Sequence, residues 1–305
     1  MEINQSSLLA AFTGFQMAFQ NGFDLAPSHY DKVATLTTST TKQEMYPWMG
    51  RTTWFREWFG DRTLQSLEAH QYTLVNRDFE NTVVISRNDF MDDTYGLYTP
   101  VFTQLGMDAR EHPDALVFAL MASGTTNLCY DGQPFFNANH PTEVNEGAGL
   151  TYQSNINSSG SGPWWYLLDT RRALKPLVFQ KRLDYRFISM VGDTDELVFT
   201  RKEFRYGVDA RVNAGYGFWQ YAYASNQPLN ATNYALARAA MRNITADNGK
   251  PLNIMPNTLV CGPSNEAAAL LLFNTAFAPS TAGTATQSNI WQGFGEVIVT
   301  PWVGA

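Results

Sequence analysis

Phe12, Phe15 and Phe19 follow an i, i+3, i+7 spacing behind Ser6-Ser7. This predicts an amphipathic helix with a serine cap, ended by Asn21-Gly22. Two placements suit the stripe: packing on the chain's own core, or an N-terminal arm whose Phe12, Phe15 and Phe19 lie on a neighbouring molecule. Ala26-Pro27 then opens an extended polar region with a Thr/Ser run from Thr37 to Thr41. After a long stretch without a core period, Glu80 to Ile85 reads as the end of a strand. Ser86 with Asp89 resembles a capping box. Phe90, Leu97, Val101, Phe102, Leu105, Ala115, Leu116, Ala119 and Leu120 follow. They predict one long helix, or pieces in line, up to Gly124, with breaks or fresh starts at Pro100 and Pro113.

From Tyr130 to Ser161 the chain reads as loop, and Thr151 to Gly162 is rich in Ser, Asn and Gly. Strand patterns return at Trp164–Leu168, Leu177–Phe179, Leu197–Thr200 and Phe218–Tyr223. A helix runs from Thr232 through Met241, and Asp247-Asn-Gly249 is a turn. Thr258–Cys261 reads as a short buried strand. Asn265 caps an Ala/Leu helix to about Phe273, and the last strand is Glu296–Thr300. Helix, strand and helix in succession point to an α+β fold with mixed connections. No internal repeat is visible.

A chain of 305 residues with 44% hydrophobic and 14% aromatic content is long enough to bury a sizeable core. The net charge of -7 argues against a dedicated nucleic-acid binder, which needs Lys and Arg for phosphate contacts. Any nucleic acid nearby would be enclosed rather than gripped. Cys129 and Cys261 make no disulfide framework and read as small buried hydrophobes. No apolar run approaches the ~18 residues that span a bilayer, so no membrane partner is expected. MEINQSSLLAAF lacks the basic start of a signal peptide.

Candidate chemistry is thin. Ser264 in CGPSNE fails the G-x-S-x-G pattern of a nucleophile elbow. His29, His70, His112 and His140 include no pair at ligand spacing, and there is no C-x-x-C. His140 in NANHP is the best candidate ligand or base, set against a histidine bonded locally in its loop. Asp89, Asp92 and Asp93 suit a divalent cation, but also the positive end of a helix dipole. Gly215 and Gly217 in AGYGFW lack the third glycine of a dinucleotide fingerprint. Arg201, Lys202, Arg205 and Arg211 alternate with Glu203 and Asp209, as on a solvated, salt-bridged strand face. No constellation points to an enzyme, a metal or a cofactor.

Between Trp48 and Tyr72 the chain carries Trp48, Trp54, Phe55, Trp58, Phe59 and Tyr72 beside Arg51, Arg56 and Arg62. Aromatics with arginine are the residue types enriched at interfaces. Trp54, Phe55, Arg56, Trp58, Phe59 and Arg62 are therefore the expected inter-subunit anchors, with two or three of the aromatics packing internally as the alternative.

Several blocks in fixed order resemble the major head subunit of Mu-like phages and prophages. They are APSHYDKVA (26–34), WMG…EWFGDR (48–62), FENTVVISRNDFMDD (79–93), CYDGQPFFNANHP (129–141), WYLLDTRRALKPLVFQKR (165–182) and AGYGFWQ (214–220). The resemblance implies the HK97-type capsid fold. It assigns 1–45 to an N-terminal arm, 46–82 to an E-loop hairpin and 83–128 to a P-domain whose spine helix covers about 87–123. Residues 129–289 become an A-domain with connecting P-domain strands, and 290–305 a C-terminal return strand. It implies hexamers and pentamers closing into an icosahedral shell around double-stranded DNA in a virion assembled in the host cytoplasm. The implied partners are a scaffolding protein, a portal and a decoration protein, and no catalytic residues carry over. Residues 46–82 hold no Lys, so the Lys–Asn crosslink of some capsids of this fold is not expected. Met1 is followed by no acidic coiled-coil leader, so scaffolding is expected from a separate protein. Tyr95-Gly96 and 158–162 are candidate joints for subunit rotation. A compartment shell of the same fold, holding protein cargo, is the alternative; an enzyme with a metal at His140 is a third reading.

Overall fold

The computed structural model describes residues 5–46, 72–92, 96–143, 150–192, 195–246, 249–279 and 286–303. The chain opens with α1 (Gln5–Leu25), α2 (Tyr30–Val33), β1 (Ala34–Thr38) and β2 (Gln43–Tyr46). It continues with β3 (Tyr72–Val75), β4 (Arg77–Ser86), α3 (Arg87–Asp92) and α4 (Thr99–Ala122). The middle holds β5 (His140–Glu143), β6 (Leu150–Gln153), β7 (Ile156–Asn157), β8 (Trp165–Leu168) and β9 (Leu177–Met190). Then come α5 (Glu196–Arg201), β10 (Glu203–Tyr216), β11 (Ala222–Ser225), α6 (Ala231–Arg242) and β12 (Thr258–Cys261). The last elements are α7 (Glu266–Asn274), β13 (Phe277–Pro279), β14 (Thr286–Ser288) and β15 (Glu296–Val299).

Two sheets organise the molecule. The first has the order β1-β9-β10-β4, with β1 parallel to β9 and the other pairs antiparallel. The second has the order β15-β12-β8-β11-β7. Strands β9 and β10 are 14 residues each, about 46 Å at the usual strand rise. They belong to two environments. Leu177–Gln180 of β9 are buried in succession, and from there outward the strand alternates between partly and fully exposed positions. β10 returns to the same core at Tyr216. Strands β8, β11 and β12 are buried at every position, which requires cover on both faces and explains their near-continuous apolar runs.

Helices α1 and α4 cover one face of the first sheet. The buried residues of α4 include Phe102, Leu105, Ala109, Pro113, Val117 and Met121, a stripe at helical spacing. A Cβ on Gly22 would collide with the Thr103 carbonyl, and one on Gly106 with the Phe19 carbonyl. The two helices cross backbone to backbone there, which only glycine permits.

Four expectations are corrected. The first helix runs through Gly22 to Leu25, because Gly22 is needed at the crossing rather than as a terminator. Pro100 begins α4, but Pro113 does not break it. A proline inside a helix costs about 3 kcal/mol, and the surrounding buried stripe offsets that cost. Residues 197–200 form α5, not a strand. Asp195 sits at its N-cap position, and Lys202 closes it in the left-handed region at φ 55°. Residues 130–161 are not all loop, since β5 pairs with β6 and β7 with β11.

Candidate assembly surfaces and the buried Asp131–His140 cluster

Strands β2 and β3 flank the aromatic segment in sequence. β2 pairs antiparallel with β3, placing Tyr46 opposite Tyr72. Beneath that pair runs a buried polar chain. The Thr37 hydroxyl lies 2.9 Å from the Tyr46 hydroxyl, which donates to Gln180 Oε1 at 2.7 Å. Gln180 Nε2 donates to Asn76 Oδ1 at 2.7 Å, and Asn76 Nδ2 donates to Ser39 Oγ at 2.9 Å and to the Thr41 carbonyl at 2.9 Å. Gln180 is fully buried and Asn76 nearly so. On the other strand the Tyr72 hydroxyl accepts from the Tyr216 amide at 3.1 Å. Burial raises both phenols above their ordinary range. Such a network, fully satisfied, fixes where the strands leave the body. Trp54, Phe55, Arg56, Trp58, Phe59 and Arg62 lie outside the described residues.

The three phenylalanines of α1 are placed on the chain's own core. Phe15 stacks on Phe102 at 4.2 Å between ring centroids, while Phe12 and Phe19 each stack on Phe187 at 5.5 Å. Phe15 and Phe19 are buried. Within the subunit the three rings thus pack against α4 and β9, which present Phe102 and Phe187 to this face. Leu9 and Met17 are 65% and 62% exposed on α1.

His140 is fully buried and is held by its neighbours. Its Nδ1 lies 2.6 Å from Asp131 Oδ2, its Nε2 lies 3.2 Å from Asn155 Oδ1, and its ring lies flat on Trp219 at 3.9 Å. The Cys129 thiol donates to Asp131 Oδ1 at 3.0 Å. Cys129, Asp131 and His140 have the composition of a metal site. Their spacing is that of hydrogen bonds. Nitrogen and oxygen donors on one tetrahedral zinc, with bonds of about 2.0 Å, would stand about 3.3 Å apart. Burial, then the Asp131 charge, pushes the Cys129 thiol well above its ordinary range, so it does not supply a thiolate. For Asp131 burial acts upward, but the hydrogen bonds from His140 and Cys129 outweigh it and hold the carboxyl below the usual range. The group pins the 129–143 segment against the turn Trp219–Tyr221, where the first sheet gives way to the second.

The remaining candidates have structural roles. Ser264 sits in a short 3₁₀ turn, and Asn265 Nδ2 donates to the Pro163 carbonyl instead of capping α7. Cys261 is buried, with its thiol raised to about 11 by burial and then the Glu266 charge. Gly215 packs under Tyr72 and Leu74, and Gly217 allows the backbone to approach Lys175 and Pro176. The charged strand face is laced within the subunit: Arg186 makes a bidentate pair with Asp209 at 2.7 and 2.9 Å, Arg211 pairs with Asp78, and Arg205 with Glu203. Sequence reasoning missed the Asn76–Gln180 network, whose members lie 104 residues apart. It also missed Phe199, which the structure leaves 84% exposed.

The family model for the Mu-like prophage major head subunit gpT matches residues 8–303. The Major capsid protein of Escherichia phage Mu is 39% identical over 99% of this chain and 100% of its own length. The FluMu major head subunit of Haemophilus influenzae is 41% identical over 86% of this chain and 87% of its own. Among solved structures, the procapsid of bacteriophage JBD30 matches with a TM-score of 0.85 at 41% identity, covering 98% of this chain and 100% of that one. The JBD30 capsid matches with a TM-score of 0.77 at 28% identity, covering both chains fully. The fold is thus the HK97-type capsid fold, and the chain belongs to the family of Mu-like prophage major head subunits.

Proposed function

We propose that this head subunit self-assembles into hexamers and pentamers of a closed icosahedral shell around double-stranded DNA. The observation that carries the proposal is the full-length agreement with a phage procapsid subunit, together with an aromatic, arginine-rich sequence between the paired strands β2 and β3. Each contact in such a shell is weak, and stability comes from many repetitions. Residues 46–82 serve as the E-loop, which at its end runs into β4 of the first sheet, with Trp54, Phe55, Arg56, Trp58, Phe59 and Arg62 as anchors on the next subunit. The first sheet with α1 and α4 acts as the P-domain, and the second sheet with α6 and α7 as the A-domain. Residues 46–82 contain no Lys, so the anchors act without covalent crosslinks. The acidic balance suits DNA that must slide in and out. A separate scaffolding protein, a portal and decoration proteins are the partners, and assembly takes place in the host cytoplasm. Negative-stain microscopy of the purified chain, with and without its scaffolding partner, tests this. Shells, capsomer rings or tubes are expected; a uniform monomer in both samples contradicts it.

A further inference from the structure

Among the described residues Phe199 is the large apolar side chain most exposed to solvent, at 84%. It stands on α5, at the tip of the hairpin formed by β9 and β10. Val198 beside it is buried and fastens the turn, so the exposure of Phe199 is built in rather than a frayed end. Arg201 and Lys202 follow it and are exposed. Lys202 holds the left-handed conformation at φ 55°, an uncommon one for a side chain with a Cβ. The tip therefore presents one aromatic ring with two cations behind it.

The same molecule carries a matching cavity elsewhere. Between α4 and the first sheet lies a cleft of about 250 Å³, walled by Phe79, Leu105, Ala109, Tyr185 and Val208. A dry apolar cavity of about 150 Å³ already accepts benzene, so the cleft has room for a phenylalanine ring. Inside it His112 Nδ1 lies 2.6 Å from the Tyr185 hydroxyl, and Phe79 meets the His112 ring edge-on at 4.4 Å. Burial, then the Arg77 charge, lowers the His112 pKa and favours a neutral, apolar-compatible ring. At the mouth, the lining carboxylates Glu80 and Asp108 are exposed. Among the described residues neither pairs with a cation. Aromatic key and apolar cleft, cations and carboxylates, are complementary.

The key cannot enter its own lock. Tyr185 and Met190 lie on one strand, five positions apart, which is about 17 Å of extended chain, and α5 lies beyond Met190. We propose that Phe199 of one subunit docks in the α4–β4 cleft of a second copy, with Arg201 and Lys202 against the acidic mouth. The contact joins two different surfaces, so it links subunits head to tail rather than in simple pairs. This inference rests on the shell reading and names one contact within it.

The test places a photoreactive benzophenone amino acid at position 199, a bulky aromatic that preserves the key. Irradiated shells should give a crosslink between chains, mapped to peptides carrying Phe79–Asn81 or Leu105–His112. Phe199→Ala should leave the soluble subunit folded, while raising the concentration needed for assembly roughly tenfold or more, the worth of one buried aromatic side chain. Asp108→Lys, at an exposed position, should lower the crosslink yield up to about fivefold, the upper range for one surface ion pair. Shells whose crosslinks map elsewhere, fall within one chain, or do not form would overturn the contact and leave the shell reading intact. Failure of the unmodified chain to form shells beside its scaffolding partner would overturn the shell reading itself.

Discussion

Tyr46→Phe removes one oxygen from the strand pair that flanks the aromatic segment and leaves the shape unchanged. In the native subunit that hydroxyl donates to Gln180 Oε1 at 2.7 Å and lies 2.9 Å from the Thr37 hydroxyl. Gln180 is fully buried, so no water replaces the lost donor. A buried acceptor left unsatisfied costs about 1–3 kcal/mol. The chain from Thr37 through Gln180 to Asn76 polarises along its length, which places the expected loss near the upper half of that range. With a urea slope of about 3 kcal/mol/M, a loss of about 2 kcal/mol moves the unfolding midpoint down by roughly 0.7 M. The assay is urea unfolding of the free subunit followed by tryptophan fluorescence, alongside the yield of shells. The yield should fall more than stability alone explains, because the strand pair that flanks residues 47–71 is loosened. An unchanged midpoint would refute the claim that this network is dry and satisfied.

Other outcomes follow from the same geometry. Trp58→Ala should leave a soluble, folded subunit but lower the shell yield; normal assembly would remove Trp58 from the anchors. Gly106→Val should lower subunit stability by several kcal/mol, since a Cβ there meets the Phe19 carbonyl; thermal melts that match the native chain would contradict the α1–α4 crossing. The Asp131 carboxyl is held below the ordinary carboxylate range, so its contribution is full above pH ~4 and is lost as pH falls through the depressed value. Asp131→Asn should therefore flatten the acid limb of the stability–pH curve, and an unaltered limb would count against the Asp131–His140 pair.

Periodicity exposed the elements that bury one face. The α1 stripe, the α4 stripe and the short apolar runs of β8 and β12 were all legible, because burial on a helix or strand imprints its period on the chain. Proline and glycine were misleading where tertiary packing decides. Pro113 stays helical because its neighbours are buried, and Gly22 serves a helix crossing rather than a stop. Residues 197–200 are too few for an apolar run to distinguish strand from helix. Function was legible through the resemblance of blocks such as FENTVVISRNDF and CYDGQPFFNANHP, not through chemistry. The structure explains part of the second block: Cys129, Asp131 and His140 are tied to one another, and Asn155 and Trp219 complete the group. What one sequence does not carry is pairing at long range. Neither the Gln180–Asn76 contact nor the cleft between α4 and β4 has a local signature.

The chain's central role is tested most directly by a cryo-electron microscopy map of shells assembled from this chain and its scaffolding partner. The shell reading calls for a closed icosahedral lattice in which density for residues 47–71 of each subunit crosses onto its neighbour, while denaturing gels of the same particles run as single chains. Shells in which that segment folds back on its own subunit, or preparations that stay monomeric beside the scaffold, would contradict it.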